Sequence, residues 1–447
     1  MINKAELDQT ATGSIPDNWF NAQSQPKAAD KSSALITIPT ELQQILAQAQ
    51  LDNLSIKMAV ARLDIAQTVL QINYASLLPK IDATLATQRN QQLVTEQKSL
   101  KTSHSANFRA SWELDIWRKL ANNQAAAEAE YLSSKFELNA AKQSIFSQIL
   151  TRYLDIQETQ ELIYWSKQNL TSQQRRVNIT AQRLDSGLSN SQDYRLALNS
   201  LYSIQATLSQ QKLSLHQAQQ RFNLLLGRYP STPIDPIQAE IKLPSVIKLI
   251  SPQQVLRQRP DLVSSEYSLL SAHYRTVEAH KGYLPDIKLG ASFRATREDF
   301  SQLFDWKYWL ANLTADLVQP IFNSGAISAK MAQQKARQDL TLAQYQQTLL
   351  SAWQEIEQAL FAEQELRIRF SALEQAYEQI AAAEQRTIIN YQNGLASSFE
   401  LLNLQTRRIN AKVNLIRSRF AILSNRINLI LALGEPFPAT SLTSETS

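Results

Sequence analysis

The residues able to do chemistry are few, and their spacing excludes most of it. The chain has four histidines, His104, His216, His273 and His280, and no cysteine in 447 residues. His273 and His280 stand seven apart on one helical face. No Cys or carboxylate stands at a spacing that would complete a metal site around them. There is no P-loop, dinucleotide glycine pattern or GxSxG turn. Carboxylates are scattered among Lys and Arg, as on solvated helix faces. The chain reads as a non-enzyme without cofactor or metal. The polar residues that recur in an ordered way flank two glycines. Arg183, Asp185, Asp193 and Arg195 lie about Gly187, and Tyr391, Glu400 and Asn403 lie about Gly394.

Those glycines mark turns between long helical patterns. YQNGLASSFELLNLQ occupies 391–405, and RLDSGLSNSQDYRLAL occupies 183–198. A helix that ends in a reversal needs a residue tolerating φ > 0, which is the glycine in each. Ser397 and Ser398 are candidate N-caps for the helix that follows Gly394. The glycines are 207 residues apart, which indicates a tandem duplication. Only 8 glycines in the whole chain argue for long uninterrupted helices. The net charge of +5 comes without a Lys/Arg block, so nucleic acid is not a partner. No apolar run is long enough for a transmembrane helix, and the N-terminus has no signal-peptide core.

Residues 1–38 read as an extended arm or a disordered terminus. Repeat 1 covers 39–227. It starts with a helix at 40–78 that Thr40 can cap and Pro79 ends. Strands follow at 80–90 and 105–115, with a polar hairpin loop at 91–104. A long helix at 119–184 has Ile149, Ile156, Ile163, Leu170, Val177 and Leu184 in heptad register. A helix at 191–226 follows the Gly187 turn. Residues 228–250 hold four prolines and form a linker. Repeat 2 covers 251–434. Its LPDI at 284–287 matches LPKI at 78–81 at an offset of 206. Strands are expected at 286–297 and 307–318, and helices at 252–283 and 326–391. After the Gly394 turn a last helix carries an a/d seam, and 435–447 is a flexible tail. At 1.5 Å per residue a helix of about 66 residues spans roughly 100 Å. The shorter helices of each repeat, stacked end to end, would span the same length. Strands then lie at one end and the glycine turns at the other.

The strands alternate strictly. In 105–115, Ala106, Phe108, Ala110, Trp112 and Leu114 oppose Asn107, Arg109, Ser111, Glu113 and Asp115. Four amphipathic strands with open edges invite pairing with other copies. A closed barrel would set the apolar faces against lipid and the charged faces against water. Trp112, Trp306 and Trp309 suit an aromatic girdle. The competing reading is a soluble β-layer packed on helices.

The LPxI strand starts, SWELDIWRKL (111–120), QPIFNSG (319–325), RPDLVSSE (259–266) and the YQNG…LLNLQ tip resemble the outer-membrane efflux factors of the TolC superfamily. The resemblance is to the OprM/NodT branch, VceC-type channels included. It implies an α+β membrane protein of two tandem repeats, each with two strands, one long helix and two short ones. Three copies would form one 12-stranded β-barrel continued by a long α-helical barrel. It further implies a Gram-negative outer-membrane location, a periplasmic adaptor and an inner-membrane pump as partners, and outer-membrane lipid around the barrel. Cargo of the branch is drugs, detergents and bile salts. Many members carry a lipidated N-terminal Cys, a lipoprotein feature that is absent or removed here. By position, Phe399 and Asn403 stand where relatives have Leu and Asp at the pore constriction, with Glu400 adjacent. Phe399 either narrows the pore or packs in the helix seam. Arg183, Asp185, Asp193, Arg195 and Tyr391 either latch neighbouring tips or are solvated. Gly187, Leu188, Ser189, Gly394, Leu395 and Ala396 form the tip turns that would meet the adaptor. The alternatives are the export channel of a type I protein secretion system and a periplasmic coiled-coil adaptor.

Overall fold

The computed structural model describes residues 19–20, 38–91, 100–234, 251–435 and 437. The centre of the expected hairpin loop, most of the linker, most of the N-terminal arm and nearly all of the tail lie outside the described residues. In chain order the elements are α1 (Thr40–Asp52), α2 (Leu54–Ala75), β1 (Lys80–Gln91) and β2 (Leu100–Glu113). Then come α3 (Lys119–Asp185), α4 (Ser191–Leu225), α5 (Pro252–Gln258) and α6 (Pro260–His280). The chain continues with β3 (Asp286–Arg297), β4 (Leu310–Val318), α7 (Ala326–Gln392) and α8 (Ser398–Leu433). The two long helices, α3 and α7, have 67 residues each.

Several expectations need correction. The helix expected at 40–78 is two helices, broken at Asn53, whose ψ of 126° is extended. Thr40 does not cap it, because the N-cap position is Pro39 and no side chain closes that end. The helix expected at 252–283 is likewise broken, at Arg259 with ψ 112°. A 3-10 turn, Lys281–Tyr283, completes it. Strand β2 starts at Leu100, inside the segment expected to be loop, and ends at Glu113. Asp115 is therefore not a strand residue. Its carboxylate accepts from the backbone N–H groups of Leu120 and Ala121 at 2.9 and 2.7 Å, which caps α3. Residues 307–309 precede β4 and belong to a short 3-10 turn and its cap.

The contacts divide the chain into two compact units, each drawing on both repeats. The first comprises Met1–Ala59, Leu138–Pro260 and Leu349–Ser447. It is all helical among the described residues. The heptad positions Ile149, Ile156, Ile163 and Val177 of α3 are buried, as are Leu201, Leu208 and Phe222 of α4. On α8 the seam residues Ile416, Phe420, Leu423, Ile427 and Ile430 are buried. Trp19 is buried too, and the Phe20 N–H donates to Glu357 Oε1 at 2.7 Å.

The breaks at Asn53 and Arg259 occupy equivalent places, 206 residues apart. Each buried side chain donates to a carbonyl in the last turn of a helix that returns from a tip. Asn53 Nδ2 reaches Leu225 O at 2.6 Å, and Arg259 Nη1 reaches Ala432 O at 3.1 Å. Helix C-terminal carbonyls have no intrahelical partner, so these contacts satisfy them. The glycine just past each helix packs against the break. A Cβ on Gly227 would lie 2.7 Å from Asp52 O, and one on Gly434 would lie 2.8 Å from Arg259 Cα.

The second unit comprises Val60–Glu137 and Asp261–Thr348. It holds an antiparallel sheet in the order β1-β2-β3-β4. The register stacks like on like. Ala83 pairs with Phe108, Phe108 with Phe293 and Phe293 with Ala311. Asp82 pairs with Arg109, and Glu113 with Lys288, which pairs with Asp316. One face is thus apolar and the other charged, as the alternation predicts. Ile81, Leu313 and Leu317 on the apolar face are exposed. All helix connections leave one end of the sheet, since α2, α3, α6 and α7 each abut that end of a strand. Beside the sheet α3 and α6 meet closely, with Ser133 Oγ 2.9 Å from Ser264 Oγ and 2.8 Å from Ser268 Oγ.

Gly394 and Gly434 separate two costs of a side chain. Both have positive φ, 75° and 72°. Nothing lies within 4 Å of a Cβ at Gly394, whereas backbone lies there at Gly434. Gly394→Ala is expected to cost about 1–2 kcal/mol from the left-handed backbone alone. Gly434→Ala should cost more, read as the fall in thermal unfolding midpoint. Equal losses would show that the break does not pack against the glycine.

Candidate channel gate

The tips are built alike. Gly187 and Gly394 take φ of 70° and 75°, and the N–H of the following leucine returns to the long helix in both. Leu188 N donates to Arg183 O at 2.7 Å, and Leu395 N to Asn390 O at 2.8 Å. Both leucines are exposed. Asn190 caps α4 by accepting from Asp193 N at 2.8 Å. Ser397 caps α8 by accepting from Glu400 N at 3.1 Å.

Ser398 has a different task from its neighbour. Its hydroxyl donates to Asp193 Oδ1, which joins the two tips. The other Asp193 oxygen accepts from Ser189 Oγ at 3.1 Å. A second link joins α3 and α7, where the Arg183 guanidinium lies 4.9 Å from the centre of the Tyr391 ring. Between these links a cavity of about 140 Å³ is lined by Ile179, Ala197, Ile388, Leu401 and Leu402 among others. Asp185 and Arg195 are exposed, and their side chains make no hydrogen bond or ion pair among the described residues. Phe399 is 67 % exposed, and Leu401 rather than Phe399 is buried at the start of α8. Asn403 is exposed and accepts from Arg407 Nε at 3.0 Å, while Glu400 is exposed beside it.

Beneath the tips lie ionic groups that composition did not single out. Glu384 of α7 is buried and its Oε2 is 2.5 Å from Arg408 Nε of α8. Its other oxygen is 3.6 Å from Arg176 Nη2 of α3. Arg408 also donates to Asn169 Oδ1 at 3.3 Å and lies over the Trp165 ring. Burial pulls the Arg176 pKa down; Glu384 opposes this and Arg408 adds to it. A readable signal existed for two of these residues. Arg176 is seven before Arg183 and Glu384 seven before Tyr391, the spacing that puts each pair on one helix face. Farther along α7, buried Glu363 accepts from buried Arg426 at 2.6 Å and from Arg367 at 2.9 Å.

The three tryptophans sit at both ends of the strands. Trp112 is near the helix-connected end and its Nε1 donates to Leu77 O at 2.9 Å. Trp306 and Trp309 precede β4 at the other end, and Trp309 stacks on Phe293 at 4.8 Å.

The outer membrane efflux protein family model matches residues 45–228 and again 251–435. The chain belongs to this family. Among curated relatives it is 24 % identical to the cation efflux system protein CusC of Escherichia coli O6:H1, over 96 % of this chain and 91 % of the relative. It is 27 % identical to the pyoverdine export outer membrane protein OpmQ of Pseudomonas putida, over 96 % of this chain and 90 % of that one. The solved outer-membrane channel OprN superposes with a TM-score of 0.87 at 21 % identity, over 95 % of this chain and 98 % of that one. VceC of Vibrio cholerae gives 0.78 at 22 %, over 88 % and 96 %. The fold is that of the TolC-superfamily channels. Membership places the chain in the outer membrane of a Gram-negative cell with a large periplasmic part. It also removes the reading as a soluble β-layer or coiled-coil adaptor.

Glu363 offers a test of the buried network. Burial pushes its carboxyl up, but the hydrogen bond and charge of Arg426, with the Arg367 charge, outweigh this and hold it below the usual Glu value of 4.5. A depressed folded-state pKa contributes stability that is present above the unfolded value and lost as pH falls through the folded one. Glu363→Ala leaves Arg426 buried without its carboxylate and is expected to cost about 3–5 kcal/mol. In Glu363→Gln the acid-side fall of stability below pH 4.5 should flatten. Thermal unfolding against pH checks both, and an unchanged acid limb would refute the assignment.

Proposed function

We propose that this chain is the exit duct of a tripartite efflux pump, exporting drugs, detergents or bile salts through a tunnel gated at its tips. The observation that carries this is the four-stranded sheet, whose apolar residues share one face and whose edges, β1 and β4, have no strand partner among the described residues. Open edges with a lipid-compatible face are satisfied when copies join into one barrel. Three copies supply twelve strands, an even number suited to a closed antiparallel barrel. The relatives' names include cation and pyoverdine export, so one fold serves several cargoes. A type I secretion channel uses the same fold and remains the second reading. The export assay separates these readings. In a strain lacking its efflux ducts, the chain with its cognate pump should restore tolerance to bile salts and dyes. Restored silver or copper tolerance alone, or export of a protein toxin alone, would reassign the cargo. The purified chain should migrate as a heat-modifiable trimer and conduct in a planar bilayer.

At the tips, Phe399 is the constricting residue, with Glu400 and Asn403 setting polarity around it. The exposure of Phe399 within one chain leaves it free for this role. Asp193–Ser398 and Arg183–Tyr391 are the latches, Asp185 and Arg195 are left to contacts between copies, and the turns at Leu188, Ser189, Leu395 and Ala396 present apolar and hydroxyl groups to the adaptor. Exposed polar links are worth about 0–1 kcal/mol, so losing one shifts the closed-to-open ratio by up to roughly fivefold. Asp193→Ala and Phe399→Ala should both raise single-channel conductance or open time. Native behaviour in Asp193→Ala would remove the latch, and in Phe399→Ala the constriction.

A further inference from the structure

The connection between β3 and β4 does not leave the sheet as a free loop. Its 3-10 turns, Phe300–Phe304 and Trp306–Tyr308, fold back over the apolar face. Leu303 is buried, Trp306 and Trp309 lie 5.7 and 4.8 Å from the Phe293 ring, and Trp309 Nε1 donates to Leu303 O at 2.9 Å. Beneath the turns a half-open pocket of about 590 Å³ is lined by Ala106, Phe108, Phe293, Leu303, Phe304 and Trp309 among others. Farther along the same face stands Arg297, opposite His104 in the register. Its guanidinium lies 4.0 Å from the centre of the Tyr308 ring, and Nη1 donates to Thr296 O at 3.0 Å. Among the described residues no carboxylate lies within 4.0 Å of it. The neighbouring charges are already engaged. Lys307 pairs with Asp305 at 2.7 Å, Lys101 pairs with Glu298 at 3.0 Å, and Asp299 caps Ser301.

An Arg on a lipid-facing strand is costly at mid-bilayer and nearly free at the interface. This end of the sheet is the one without helix connections, so with periplasmic helices it lies in the outer leaflet. There the abundant anion is phosphate on a multi-acylated glycolipid, which Arg binds through paired N–H donors. We propose that this site holds an outer-leaflet phosphoglycolipid, with one acyl chain in the aromatic-roofed cavity and one phosphate on Arg297. The inference rests on the outer-membrane channel reading.

The test uses the full chain reconstituted into phosphatidylethanolamine vesicles containing bisphosphorylated hexa-acyl lipid A, or phosphatidylglycerol instead. Mass spectrometry of the re-extracted oligomer reads retained lipid. The native protein should keep lipid A in preference to phosphatidylglycerol. Arg297→Gln should lower that retention by roughly tenfold or more, as expected for one charge-assisted contact. Phe304→Ala, which opens the roof, and Ala106→Leu, which fills the cavity, should lower it too, whereas Lys307→Gln should not. Undiminished retention in Arg297→Gln, or equal retention of phosphatidylglycerol, overturns the proposal. Should Ala106→Leu fail to assemble, Phe304→Ala decides the acyl arm, and native retention there overturns it. Heat-modifiable migration and conductance are read on each sample. A conducting oligomer without lipid A sinks only this inference, while absence of any pore sinks the channel reading itself.

Discussion

Each repeat depends on how its helix break is tied to the helix returning from the tip. A helix end leaves carbonyls without partners, and burying them is costly unless a donor is supplied. Here the donor comes from the residue at the break, Asn53 in one repeat and Arg259 in the other. The two side chains differ in size and charge but share the ability to donate. Arg259 carries the further contact to Glu355 Oε2 at 2.7 Å that a guanidinium requires. The glycines beyond the helix ends fit against the same breaks because any side chain there would meet backbone. The duplication thus preserves a hydrogen-bonding task and a close approach rather than a residue.

The sheet obeys a different constraint. Its charged rows pair across strands and its apolar rows pair across strands, so a register slip of one residue would invert every strand's faces. Within one chain much of the apolar face stays exposed, including Ile81, Leu313 and Leu317. In water such a face would be a liability, whereas beside lipid it is the required surface. Family membership and the exposed face therefore support one another from independent directions.

What the sequence disclosed, and what it concealed, follows from the range of each interaction. The period of 2 in the strands, the heptads of α3 and α8 and the glycine turns are local patterns and are present, although β2 starts at Leu100 and β4 at Leu310 rather than where the alternation placed them. The break at Arg259 has a local cause in Pro260, which disfavours the helical conformation at the residue before it. Asn53 caps the helix that follows, its Oδ1 accepting from Ser55 N and Ile56 N at 2.8 and 3.1 Å. What the sequence does not disclose is the partner of each side chain, a carbonyl 172 or 173 residues away. The same holds at the tips. Asp193 was legible as a charge near a turn; of the two serines expected as caps after Gly394, Ser397 is the cap and Ser398 is the partner of Asp193. The 3-10 turns that roof the sheet came from a segment that alternation alone had partly counted as strand.

The ionic groups of the helical unit form a graded series along α7. Asp193–Ser398 and Arg183–Tyr391 lie at the turns and are partly open to water, where such links contribute little. Glu384 lies ten residues before Gly394, about 15 Å along the helix, and Glu363 lies 31 before it, about 46 Å along. Both carboxylates are buried, and removing one partner of such a pair costs about 3–5 kcal/mol because the remaining charge is stranded. The links at the turns are therefore the weaker ones, and the carboxylates below them hold α7 to α3 and α8.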